Sequence, residues 1–163
     1  MAELTQLESK LGEVFGLAKA AQESTSKVIK LVEDEEVTKT LEQMRQEAAE
    51  AEQRCAAVGE TLDGKKTALE EKAMETKKEA SEMMKTYLGE DADGLDGLEF
   101  LVMAEAAEVG HAEVLGAMNE QARNPDIQAL VDWAMPVQQR HFDATREGAL
   151  KLARQEDPES PAS

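Results

Sequence analysis

Apolar residues recur at steps of three and four along almost the whole chain, the period of one face of an α-helix. Between about residues 3 and 33 the line runs Leu4, Leu7, Leu11, Val14, Ala18, Ala21, Thr25, Val28 and Val32, close to a heptad seam. Asp34-Glu35-Glu36 then supplies a cap and an acidic first turn, which the positive end of a helix dipole favours. A second line, Val37, Leu41, Met44, Ala48, Ala51, Cys55, Val58 and Leu62, predicts a helix to about residue 62. Asp63-Gly64 ends it, glycine being suited to the left-handed residue beyond a helix C-terminus. The third segment, about 65–88, is more polar: Leu69, Ala73, Thr76, Ala80, Met83 and Tyr87 form its apolar line among alternating lysines and glutamates. Such interleaving suits a helix lying across the outside of the others.

Two further helices follow, over about 96–122 and from Asn124-Pro125-Asp126 to about 155. The second carries a cap, an N1 proline and an acid in order, and Pro136 predicts a kink or a brief restart within it because proline deletes one backbone hydrogen bond. The acidic loop Glu90–Gly97 invites a calcium reading but fails the EF-hand template counted from Asp91. Leu95 stands at a ligand position, Asp96 where glycine is needed and Val102 in place of the closing glutamate. A capping box from Asp96 to Glu99 accounts for the loop instead. Two long helices, a crossover segment and two more long helices describe an all-α protein with the topology of a ferritin-like four-helix bundle with an additional crossover helix. Residues 1–155 read as one domain, and the acidic, proline-containing 156–163 as a disordered tail.

Composition supports helices and removes several functions. Only 3% of residues are aromatic, leaving little of what sheets consume. The 18 Lys and Arg against 35 Asp and Glu give a net charge of −17, which disfavours nucleic acid and anionic membrane surfaces. Cys55 is alone, so no internal disulfide can form. No apolar stretch approaches the ~18 residues of a membrane span, and the start lacks the pattern of a signal peptide. A soluble protein of the reducing cytoplasm is the expectation.

Both histidines fall in the middle of the last two helices. Glu105, Glu108, His111, Leu115 and Met118 share one stripe of the fourth helix, and Gln138 and His141 replace the apolar line of the fifth. Glu108-x-x-His111 has the spacing that lets a carboxylate and an imidazole grip one metal ion, and Gln138-x-x-His141 repeats it with the carboxylate amidated. Antiparallel packing could bring both to one level. Glu47 and Glu50 of the second helix lie one position off its core line, and the first helix offers Ala18 and Ala21 at the matching level. Glu47, Glu50, Glu105, Glu108, His111 and His141 are therefore the candidate metal ligands. The alternative for the same residues is buried structural polar packing. In that case Glu108 must pair with an imidazole, a metal or water, since an isolated buried carboxylate is costly.

From Leu31 to Ala153 the chain resembles the bacterial stress-associated ferritin-like family called YciF-type. Its Glu-His-Tyr-Glu stretch corresponds to Gly110-His111-Ala112-Glu113, and its Glu-Glu-Lys-x-x-Asp to Gln138-Gln139-Arg140-His141-Phe142-Asp143. Its acid-rich turn in helix two corresponds to Gln46-Glu47, and its first-helix glutamate falls near Ala18. His111, Glu113, Glu47 and Asp143 match, whereas Gly110, Gln138, Gln139 and Ala18 depart. The departures remove carboxylates that redox iron chemistry uses. The resemblance implies a stress-related role.

The expectation is a ferritin-like bundle protein that is non-enzymatic or vestigially metal-binding. It either has no cofactor or holds Fe or Mn as a divalent partner. It is expected to form a homodimer through apolar surface at Leu130, Trp133 and Val137. The alternatives are a dimetal-carboxylate oxidase or iron-handling protein, and a helical scaffold that binds a partner through Leu69 and Met83 of the third helix.

Overall fold

The computed structural model describes residues 2–161, and among them there is no strand. Five helices follow one another: α1 (Gln6–Ile29), α2 (Glu35–Thr61), α3 (Lys66–Tyr87), α4 (Gly94–Ala122) and α5 (Pro125–Ala153). No helix among the described residues is long and apolar enough to cross a membrane. The helix ends follow local chemistry. Thr5 and Glu8 close a capping box on α1, and Asp34 accepts from the backbone amides of Glu36 and Val37. Asn124 accepts from those of Asp126 and Ile127 ahead of α5. Gly64 takes the left-handed conformation expected after α2.

Two local expectations are corrected, the start of α4 and a restart within α5. The capping box ahead of α4 joins Asp93 to Asp96, so the helix starts three residues earlier than the Asp96–Glu99 pair predicts. Helix α5 runs unbroken through Pro136, which lies on its exposed side. The residues after α5, 154–161, form exposed turns, while 162 and 163 of the expected tail lie outside the described residues.

α1 packs against α2, α3 and α4, and α5 packs against α4 and α2. Side-chain pairs give the directions. Lys19 meets Glu52 and the Val28 side chain packs at Gly97, so α2 and α4 both run opposite to α1. Arg54 stacks on Trp133 and Lys151 reaches Asp34, making α2 and α5 antiparallel. α3 runs with α1: Gly12 faces Leu69 and Lys72, Gly16 faces Ala73 and Thr76, and Glu23 meets Lys77 and Ser81. A Cβ on Gly16 would strike the Ala73 carbonyl and lie 2.6 Å from Thr76 Cβ, so only glycine permits this backbone approach.

The core has two apolar ends. Leu11, Phe15, Cys55, Leu69, Leu115 and Ile127 gather at one, and Val28, Leu41, Met44, Leu98, Phe100 and Leu101 at the other. Leu130 and Val137 belong inside, and Trp133 is half-buried with the Arg54 guanidinium 4.4 Å from its ring. The surface from which a homodimer was expected is thus internal or covered. Leu69 is likewise fully buried. The α3 line ends at Met84, not Met83, so only Met83 of the expected partner-binding pair is exposed.

Candidate functional site

Between the two apolar ends the interior turns polar. The buried face of α4 steps through Glu105, Glu108, Ala112, Leu115 and Asn119, and α5 contributes Gln138, His141 and Thr145. These residues face α1, which offers Ala18, Ala21 and Thr25, and α2, which offers Glu47 at the margin. The side-chain steps of three and four that build an apolar stripe here carry acids and an imidazole to the same depth.

His141 is the hub. Its Nε2 lies 3.5 Å from Glu47 Oε2 and its Nδ1 3.7 Å from Glu105 Oε2, one carboxyl on each side of the ring. Neither contact is a hydrogen bond, and His141 Nε2 and Glu105 Oε2 are both buried without a partner. Glu108 Oε2 accepts from Gln138 Nε2 at 2.9 Å, while Gln138 Oε1 is left unpaired. Glu47 is held from outside by the Arg140 guanidinium.

Burial sets the protonation. It pushes the Glu105 carboxyl up to about 8, and raises Glu108 well above the carboxylate range. Glu105 raises Glu108 further, against the opposing pull of His141 and the Gln138 amide. Burial lowers His141 despite the carboxylates of Glu47 and Glu108, which pull the other way. His141 at neutral pH is therefore a neutral imidazole, with protons on Glu105 and Glu108, the form that avoids buried charge there. Chemically it can take and release protons, with Glu47 at the rim, His141 between and Glu105 within.

The six candidate ligands do not come together. His141 lies between Glu47 and Glu105, while Glu108 lines the same polar interior paired to Gln138. Glu50 turns outward onto Arg54, its side chain 45% exposed. His111 sits one position off the buried stripe, half-exposed, with Nδ1 3.2 Å from Glu13 Oε2 on α1. The two imidazoles thus have separate partners, contrary to the expected meeting at one height. Of the residues matched through the family resemblance, Glu113 is exposed, and Asp143 lies beside Arg146 with its side chain 44% exposed.

A metal implied by a ferritin-like fold can be tested against this donor set. Among the described residues no three His, Cys, Asp or Glu side chains converge to hold an ion. The void shared by Glu108, His111 and Gln138 measures about 10 Å³, at the lower limit for one water. Paired metals ~3.5–4 Å apart need more room and more donors. Glu47 and Glu108 also spend oxygens on Arg140 and Gln138. The residues present do not fit a dimetal centre.

Sequence reasoning missed Arg140 as the counter-ion of Glu47 and Glu13 as the partner of His111. Both pairings join distant helices, and no spacing within either segment signals them. No protein-family model, curated protein or solved structure matches this chain.

Proposed function

We propose that this chain is a non-enzymatic, ferritin-like helical bundle protein whose polar interior is the proton-held relic of an ion site. In this reading α1, α2, α4 and α5 are the four-helix bundle and α3 is the crossover. Two features support it: the ring of contacts from α1 to α2, α5, α4 and back, and the direction of α3. Because α3 runs with α1, it returns the chain to the end from which α2 began, so that α2 and α4 run parallel, as one long connection requires. The stress-related role implied by the YciF-type resemblance is the setting we propose, in the cytoplasm.

The observation that carries the non-enzymatic reading is the donor geometry around His141. Its two nitrogens face different carboxyls, Gln138 occupies an oxygen of Glu108, and Arg140 takes the same Glu47 oxygen that faces the ring. Burial keeps protons on Glu105 and Glu108 where a metalloenzyme would leave converging anionic oxygens for its ions. Elemental analysis of protein from iron- and manganese-replete cells tests this, together with melting in added Fe(II), Mn(II) and Zn(II). The expected result is far less than one metal per chain and an unmoved melting temperature. Two metals per chain, with an oxygen-dependent absorbance on adding Fe(II), would refute the reading.

A further inference from the structure

An apolar strip of the surface is left uncovered by the fold. Where α3 and α4 diverge across α1, a cleft of about 120 Å³ opens between Ala20, Ala80 and Ala104, and a shallower groove continues it between α4 and α5. The two share Tyr87, Phe100 and Met103, so they form one trough. Along α4 it runs from Asp96 to Glu108, about 18 Å at the helical rise. Met83, Tyr87, Met103 and Leu150 stand along it, between 45% and 57% exposed. They are four of the six large apolar side chains most exposed among the described residues, gathered on a chain of net charge −17. An apolar patch with a polar margin marks a surface that meets another molecule.

We propose that this trough docks a basic amphipathic helix of a partner protein, its apolar face between α3 and α4 and its lysines or arginines over the acids at the margin. The length suits three helical turns, about 16 Å. Unbranched methionines adapt to apolar anchors of differing shape, and the rings of Tyr87 and Phe100, 6.1 Å apart, add flat apolar contact.

Charge selects a basic partner. Helix α4 contains no lysine or arginine in its 29 residues. Its Asp96 and Glu99 line the trough, and exposed Glu90 and Asp91 follow Tyr87 in the loop before α4. Exposed Glu79 lies one turn before Met83 on the same side of α3. Among the described residues Arg146 is the one cation that lines the trough, and it is turned onto its own helix, 3.4 Å from Asp143 and over the Phe142 ring. Glu108 is engaged by Gln138 and takes no part. The same acids argue against a second copy of this chain, because a two-fold pairing would bring one acidic margin against another.

Isothermal titration of the full chain with a synthetic helix of about three turns, leucine on one face and lysine on the other, tests the assignment. Micromolar binding that weakens as salt rises is expected, and none by the counterpart with glutamate in place of lysine. Met103→Ser, at an exposed position, should weaken binding about tenfold, the worth of one methionine side chain taken from water. Met74→Ser, also exposed but on the other flank of α3, should leave it unchanged. Glu99→Gln should weaken it severalfold and flatten its salt dependence. Sedimentation equilibrium of the chain alone should show a monomer with the trough free. Equal effects of the two methionine variants, binding of the glutamate peptide, or no binding at millimolar peptide would overturn the proposal. So would a dimer that dissociates in Met103→Ser, which would give the trough to a second copy.

Discussion

Replacing Glu105 by glutamine removes one buried proton-binding group and keeps the side chain's shape. Burial holds the carboxyl at about 8 against an ordinary value of 4.5. Between those values the folded chain keeps a proton that the unfolded chain has released. The stability tied to this group is therefore full below about pH 4.5 and is lost as pH rises through 8. One proton is worth about 1.4 kcal/mol per pH unit, which over the whole window amounts to on the order of 5 kcal/mol. Glu108, raised by burial and by Glu105, slopes the same way. His141 slopes oppositely below its ordinary value of 6.5, where the unfolded imidazole takes a proton that the folded one refuses. His141 remains in the variant and largely cancels in the difference, whereas Glu108 loses the upward push of Glu105 there and slopes less. Urea unfolding of both chains, followed by circular dichroism between about pH 5 and pH 8, measures that difference. The wild type should lose stability relative to Glu105→Gln at up to about 1.4 kcal/mol per pH unit. A constant difference, or a wild type that gains stability across this range, would mean an ionised Glu105 beside an imidazolium and would refute the protonation argued above.

Three further outcomes follow from packing. Gly16→Ala should destabilise the chain by about 1–3 kcal/mol in denaturant titration, because the Ala73 carbonyl is backbone and cannot swing aside as a side-chain tip would. Pro136→Ala should stabilise it by up to about 3 kcal/mol, since Pro136 is exposed within a continuous helix and alanine restores the missing backbone donor. An unchanged melting temperature would contradict this. Cys55, buried and with its thiol pushed up to about 12, should resist thiol reagents in the native protein and react fully once unfolded; prompt native labelling would place it outside the core.

The α2 seam was legible because α2 buries one face, and each residue from Val37 to Val58 on its apolar line is inside. α1 was half legible. Its heptad line meets α2 and α4, but Gly12, Gly16 and Ser24 are buried on another face by α3, and small residues leave no hydrophobic signature. On α3 the choice between adjacent Met83 and Met84 turned on the angle at which the helix crosses α1, which periodicity does not carry. The same one-residue ambiguity placed His111 with the inward acids, while the geometry gives that depth to Ala112. Glu105, Glu108 and His141 were found because acids and an imidazole interrupt an apolar stripe, a signal local to one helix. Their protonation was not legible, because it depends on how much of three other helices excludes water.

The glycines of α1 reach further than the contact they make. By letting α3 settle directly on α1, Gly12 and Gly16 set the distance between these two helices. A methyl group at either position would meet Lys72, Ala73 or Thr76 and push α3 outward. The spacing of the two helices is gauged by two residues that have no side chain.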